Sequence, residues 1–434
     1  MIVFKFGGAS VKEAGAVENV ARLIARYAPA QTVVVVSAMG KTTNALEGVL
    51  RAWYDAPGEQ PLERLAAVRH DHFAMMRPLF PAAHPVFPAV DGCFESVARR
   101  LAEPPSGLFD FEYDQLVSVG EWLSTTIVSA YLNDKQLATQ WCDARRLIIT
   151  DDCWREAHVD WALTGEAIRA QAAALFDDRR DGRQVLLTQG FVGGTRDGRT
   201  TTLGREGSDY TAAIFSHVLD AERMVVWKDV PGVLNADPHL FADPVLLPRI
   251  SYGEAIELTY YGATVIHPKT IKPLQNKKIP LHVRSFLQPE GPGTLISDEA
   301  SADPAVPSFI VKRDQRLISI VPKDFSFIAE PHLSVIFTAF AAAGIRINMM
   351  QHSAISFTAC VSDDDRKIGR LFDQLARSFT IRYNTGLCLF TVRHWTPDAI
   401  AMATAGRRVL LEQRNRTTVQ LVMTDNPTTE PPAP

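Results

Sequence analysis

Cysteine is scarce in this chain of 434 residues: there are five, an odd number, at Cys93, Cys142, Cys153, Cys360 and Cys388. No two form a CxxC pair, so the spacing argues against a disulfide framework or a zinc knuckle and for reduced thiols. Long apolar runs are missing as well. None reaches the length of a bilayer span, and the first residues lack the basic, apolar and small-residue sections of a signal peptide, so a cytoplasmic protein without membrane contact is expected. Nor is there an excess of one charge. A formal net charge of −4 offers no general attraction to nucleic acid or anionic lipid, and any phosphate chemistry has to come from local sites. What is present, 46% hydrophobic and 22% charged residues, describes a globular chain long enough for two or three domains.

The first ten residues, MIVFKFGGAS, organise the rest. Ile2 to Phe6 predicts a buried strand, and Gly7 and Gly8 lack the Cβ that would keep a turn away from a ligand. Ser10 followed by Glu13 is a capping-box spacing and predicts a helix N-terminus directly after the turn. Such a start leaves unpaired N–H groups suited to a phosphate-sized anion, and Lys5 adds a full positive charge. Neither GxxxxGK[ST] nor GxGxxG is present, and the same spacing equally describes a tight turn with a surface lysine.

Val17, Val20, Ala21, Leu23 and Ile24 predict an amphipathic helix, and TVVVVS at 32–37 predicts a strand buried on both faces. This βαβ unit implies an α/β fold, a parallel-rich sheet sandwiched by helices, with ligands at the carboxyl ends of its strands beside Lys5 and Ser37. In the loop AMGKTTN at 38–44, Thr43 is either a substrate contact or a turn residue. The HDH run at 70–72 reads as a solvated face, since neighbouring helix positions do not share a side. Leu116, Val119, Leu123, Ile127 and Tyr131 predict a helix over 116–131, with Glu121 near its start as a directed carboxylate or a rim charge. After a strand at 185–188, Asp197-Gly198 predicts a hairpin. GREGSD at 204–209 ends a glycine loop in Ser208 and Asp209, just before the helical run 210–219, with Arg205 beside this second capped start. A strand at 224–227 leads into KDVPGVLNADP, where Lys228, Asp229, Asn235 and Asp237 supply polar groups. Ser251 and Glu254 repeat the capping box for a helix stopped at Gly262, Pro268 opens another after His267, and Leu281 to Phe286 closes the sheet.

In order, KFGGAS, VSAMGKTTN, VGEWLS, LGREGSDYTAA, KDVPGVLNADP and GATVIHPKT resemble the motifs of aspartate kinases of the amino acid kinase superfamily. The resemblance implies transfer of the γ-phosphoryl group of ATP to the β-carboxylate of L-aspartate, with Mg²⁺ held mainly through the phosphates and no protein metal-ligand set. It places Lys5 on the phosphates and Asp209 as the group that orients the catalytic side chains. Ser37, Thr43, Glu121, Arg205 and Ser208 would hold aspartate. Gly7, Gly8, Ser10, Lys228, Asp229, Leu234, Asn235 and Lys269 would surround the nucleotide. An Asp side chain titrates near ~4, so the acceptor carboxylate needs no strong general base. Ala9, Glu206, Leu234, His239 and Thr264 stand where the family has threonine, glycine, tyrosine, arginine and lysine. Those departures crowd the nucleotide side and leave the aspartate side intact. The alternatives are a glutamate-type amino acid kinase and a non-catalytic amino acid sensor.

The stretch 291–308, rich in Pro, Gly and acids, reads as a linker after a catalytic domain of residues 1–290. Beyond it, strand 317–321, helix 331–343, strands 346–351 and 355–361, helix 366–377 and strand 380–383 follow the βαββαβ order of a ferredoxin-like unit. A shorter copy follows at 387–393, 398–403, 409–412 and 418–423. This α+β region, 309–425, resembles the paired ACT domains of aspartate kinases with the second module reduced. The resemblance implies an amino acid effector near Ser326, Ile328, Asn348 and Gln351 and a homodimer through this region; a dimerisation domain without a ligand is the other reading. Residues 426–434 read as a disordered tail.

Overall fold

The computed structural model describes residues 1–54, 60–176, 184–263, 266–303, 306–324 and 326–425. The chain forms two compact units, one of residues 1–233, 246–256 and 265–303, the other of 234–245, 257–264 and 304–434. Two expectations, the substitution at Thr264 and the tail 426–434, lie outside the described residues.

In the first unit the strands are β1 (Ile2–Phe6), β2 (Gln31–Val36), β3 (Thr139–Cys142), β4 (Ile149–Thr150), β5 (Gln184–Gln189), β6 (Val192–Thr195), β7 (Thr200–Thr202), β8 (Arg223–Lys228), β9 (Arg249–Ser251), β10 (Leu281–Ser285) and β11 (Thr294–Ser297). Its helices are α1 (Ala14–Tyr27), α2 (Thr42–Tyr54), α3 (Pro61–Met76), α4 (Val86–Ala102), α5 (Phe109–Val117), α6 (Val119–Asp134), α7 (Trp161–Leu175), α8 (Gly207–Val218), the first half of α9 (Tyr252–Tyr261), whose residues 257–261 are counted in the second unit, and α10 (Pro268–Asn276). Eight strands form one sheet in the order β3-β5-β2-β1-β8-β10-β11-β9, parallel except between β10 and β11. β4, β6 and β7 make a smaller sheet. Alternation along β1 divides the layers. Ile2, Phe4 and Phe6 join Val34, Val36, Val225 and Trp227 in a core shared with α1, α2, α4 and α6. Lys5 takes the opposite face, where α8 packs on β1.

Several expectations change. Gly8–Val11 forms one 3₁₀ turn and α1 starts only at Ala14, so Ser10 is not its cap; its Oγ donates to the Trp227 carbonyl at 3.4 Å. The end of β8, adjacent to β1, presents that acceptor and outcompetes the local one. The helix expected over 116–131 breaks at Ser118 into α5 and α6. His72, read as part of a solvated face, is buried, bonded to Val68 O at 2.7 Å and to Thr42 Oγ1 at 3.4 Å. β10 does not close the sheet. Residues 294–297 of the expected linker form β11, which sits between β10 and β9 because Thr294 and Ile296 alternate inward within a Pro- and Gly-rich stretch.

The second unit holds β12 (Ser308–Pro322), β13 (Ile347–His352), β14 (Phe357–Ser362), β15 (Phe379–Arg393), β16 (Val409–Arg414) and β17 (Thr418–Thr424), with α11 (Glu330–Ala342), α12 (Asp365–Leu375) and α13 (Pro397–Thr404). Its sheet is antiparallel, in the order β13-β14-β12-β15-β17-β16. The segments expected as separate strands at 380–383 and 387–393 are one strand, β15. Register shifts around Gln315 on β12, with Asp314 at φ 53° and Gly386 at φ 66°, show that the polar runs there mark bulges rather than strand ends. Each long strand therefore serves both ferredoxin-like modules. Leu317–Pro322 pairs with the first half of β15, while Ser308–Lys312 pairs with Leu389–Arg393 and supplies the fourth strand that β15-α13-β16-β17 lacks.

Gly190 follows β5 so closely against α8 that a Cβ would lie 2.4 Å from Ser208 Cβ. Gly190→Ala is expected to cost about 1–3 kcal/mol in urea denaturation. Gly369→Ala, inside α12 with nothing within 4 Å of the added methyl, should gain about 0.5–1 kcal/mol.

Candidate active site

The carboxyl ends of β1, β2, β5 and β8 meet at one place. Ser37 N–H donates to Phe6 O at 3.0 Å, Gly190 N–H to Val36 O at 2.9 Å and Gly40 N–H to Gly8 O at 3.0 Å. The last contact requires glycine at position 8, because a Cβ there would stand 2.8 Å from Ala38 O and 2.9 Å from Gly40 O. Lys5 Nζ lies 2.6 Å from Asp209 Oδ1, and Lys228 Nζ lies 3.8 Å from Oδ2. Burial alone would raise the Asp209 carboxyl, but the Lys5 and Lys228 ammonium groups overcome it and hold the acid below its ordinary range. Asp209 sits in the first turn of α8, where the helix dipole also favours a negative charge.

Beside this cluster opens a cavity of about 760 Å³. Gly8, Ser37, Thr43, Glu121, Arg205 and Ser208 all line it, so the substrate-side residues expected from the sequence converge. Glu121 is buried; one oxygen accepts from Ala38 N–H at 3.3 Å and the other, Oε2, has no partner. Burial pushes its carboxyl up to about 8. Arg205 is exposed and bonds to no described residue, which leaves all its donors for a ligand.

The helix start differs from the expected one. Glu206 is the N-cap of α8, in the left-handed region at φ 53°, and Ser208 and Asp209 already lie within the helix. On the nucleotide side the expected set divides. Gly7 and Gly8 adjoin Lys5 and the cavity, Lys228 faces Asp209, and Asp229 is exposed after β8. Leu234 and Asn235 belong to the second unit, and Asn235 spends its carboxamide on Pro307 O at 2.9 Å and Val245 N–H at 2.7 Å. Lys269 is outside the cavity lining. Its ammonium donates to Leu203 O at 2.9 Å, and burial pulls it below its ordinary range against the opposing charge of Glu156. In the second unit, Ser326 bonds Asp324 and His332, Ile328 is a core residue whose N–H donates to Ala354 O, and Gln351 is exposed. Asn348 accepts from Lys312 Nζ at 3.2 Å and donates to Gln315 Oε1 at 2.9 Å.

Arg155 and Phe191 were missed; they share the cavity wall and, like Glu206, are non-glycine residues at positive φ. Asp114 was missed too. Its carboxylate accepts from Thr202 Oγ1 at 2.6 Å, Thr202 N–H at 3.0 Å and Arg155 N–H at 3.0 Å, tying α5 to β7 and to the Arg155 turn. Asp114 sits about one helical turn before apolar Val117, a buried acid that only a search for charges on apolar faces would find.

The Lys5–Asp209–Lys228 cluster thus lies at the carboxyl ends of β1 and β8, beside the cavity that Glu121, Arg205 and Ser208 share but outside its lining. The chain belongs to the amino acid kinase family, whose sequence profile it matches over residues 1–285. It is 32% identical over 362 residues to lysine-sensitive aspartokinase 3 of Escherichia coli, covering 82% of this chain and 77% of that one. With aspartokinase 1, chloroplastic, of Arabidopsis thaliana it shares 31% over 369 residues, spanning 82% of this chain and 62% of the relative. The crystal structure of E. coli aspartokinase III with aspartate and ADP superposes with a TM-score of 0.80 at 26% identity over 98% of this chain and 96% of that one. The same enzyme with lysine and aspartate gives 0.80 at 26% over 97% and 95%. Within the family, the chain's place is among the aspartokinases.

The Glu121 carboxyl, held near 8 against an ordinary 4.5, makes the folded state bind the extra proton between those values. Stability of the ligand-free protein should then fall as pH rises from about 5 to 8 by roughly 1–4 kcal/mol. Glu121→Gln is expected to flatten that slope, as thermal melts across the range would record.

Proposed function

We propose that this protein transfers the γ-phosphoryl group of ATP to the β-carboxylate of L-aspartate, giving 4-phospho-L-aspartate in the cytoplasm as the first step towards lysine, threonine and methionine. The observation that carries the reading is the convergence, on one cavity, of unpartnered Arg205 and the orphaned Glu121 oxygen beside the Lys5–Asp209–Lys228 cluster. Arg205 would grip the α-carboxylate with paired hydrogen bonds, and Glu121, giving up its proton, would accept the α-ammonium. The β-carboxylate oxygen then attacks the γ-phosphorus, the bond to the β-phosphate oxygen breaks, and ADP leaves with the electron pair. The phosphoryl transfer itself needs no proton transfer, because the attacking carboxylate is already ionised. Lys5, oriented by Asp209, would balance charge on the transferring group, and the N–H groups of the Gly7-Gly8 turn would meet phosphate oxygens. Mg²⁺ carried on the phosphates would neutralise part of their charge.

The second unit would regulate this activity. Its ferredoxin-like modules and the relative solved with lysine and aspartate support an amino acid effector, which the family resemblance puts near Ser326, Ile328, Asn348 and Gln351. Exposed Val335 and Phe337 on α11 and Met350 on edge strand β13 support a homodimer through this unit.

ADP release should require L-aspartate and not L-glutamate, with hydroxylamine trapping the acyl phosphate; aspartate-independent or absent turnover would sink the reading. Lys5→Met should lower kcat by about 10²–10³ or more while circular dichroism stays unchanged. Lysine, threonine and methionine, tested singly in thermal shift, should include one that raises Tm.

A further inference from the structure

The loop that carries Arg205 is bracketed by two hydrogen bonds to the start of α10. On one side Lys269 Nζ donates to Leu203 O at 2.9 Å; on the other, Glu206 Oε2 accepts from His267 N–H at 3.0 Å. His267 is itself fixed as the N-cap of α10, its Nδ1 accepting from Lys269 N–H at 3.2 Å. Glu206 holds φ 53°, a conformation that disfavours any residue with a Cβ. It stands at the position where the resembled motif has glycine, and glycine would adopt that turn without strain. In this strained position the glutamate side chain makes a hydrogen bond to the His267 amide that glycine could not make.

We propose that Glu206 is a positioning residue for Arg205: the Glu206–His267 bond, with the Lys269–Leu203 bond, clamps the loop so that the guanidinium is presented to a substrate carboxylate already ordered. Because Arg205 has no described partner of its own, its direction depends on the backbone on either side. The proposal rests on the reading that Arg205 binds the substrate carboxylate. A purely electrostatic role for Glu206 makes a different prediction, since removing its charge would then strengthen binding of an anionic substrate.

The experiment compares the full-length wild type with E206Q, E206A and E206G. Glutamine keeps an acceptor for the His267 amide without the charge; alanine keeps the strain and loses the clamp; glycine loses both. E206A and E206G should raise KM for aspartate about five- to twentyfold, with kcat and KM for ATP within about twofold, and E206Q should stay within about twofold of wild type. Unchanged KM for aspartate in E206A and E206G overturns the proposal, as does a fall in kcat alone. E206Q binding aspartate more tightly than wild type would assign the residue to charge instead. Hydrogen exchange at the His267 amide tests the clamp without substrate: it should quicken in E206A and E206G and hold in E206Q. Equal exchange in all four proteins overturns the clamp, whereas a wild type that never turns over aspartate overturns the functional reading and leaves the exchange result standing.

Discussion

A carboxylate buried between two ammonium groups is the constraint on which the rest of the first unit depends. Asp209 could not stay ionised in that position without Lys5 and Lys228. Pairs of this kind contribute little net stability, because desolvation consumes most of the Coulomb gain, yet removing one partner leaves a costly orphan. The cluster therefore acts as a registration device. It requires β1, β8 and α8 to meet with their ends aligned, and the matched pairing of Lys5 with Val35 and Val226 supplies that alignment. Lys5 reaches Asp209 only because alternation along β1 turns it away from the aromatic core of Phe4, Phe6 and Trp227.

Around this rigid floor the cavity wall is made of irregular backbone. Arg155, Phe191 and Glu206 hold positive φ without being glycine, and such residues persist only where the surroundings over-determine them. Asp114 provides part of that determination by collecting three hydrogen bonds from the Thr202 and Arg155 segments, and burial against those bonds leaves its carboxyl raised to about 6. A binding wall built this way fixes side chains that could not be fixed by a helix or strand alone.

The second unit solves a different problem, how to support two modules with too few strands. β12 and β15, each fifteen residues long, pass through bulges and belong to both modules, so the shorter one needs no fourth strand of its own. Leu317, Met349, Cys360, Leu387, Leu389 and Val422 form one apolar cluster running across that shared sheet. A ligand that altered one module would press on strands common to the other.

Much of this was legible in the sequence. The apolar runs of β1, β2, β5 and β8, that of β1 interrupted by Lys5, pointed to a parallel sheet, the glycine turns marked its functional edge, and Glu121, Arg205, Ser208 and Asp209 stood out as polar groups beside apolar elements. Capping residues were less readable. Ser10 bonds a carbonyl more than two hundred residues away, and Glu206 occupies the N-cap position of α8, without a side-chain capping bond, where Ser208 and Asp209 had the local pattern. Asn235, Lys269 and Asn348 were ligand candidates through the family resemblance, and each hydrogen-bonds a partner distant in sequence that no local pattern announces. By itself the sequence determined which segments are buried and with what period, since hydrophobic alternation is a local property of the chain. Only the tertiary structure decided which polar side chains remain unpaired, because a hydrogen bond to a partner far along the chain leaves no trace in the neighbouring residues.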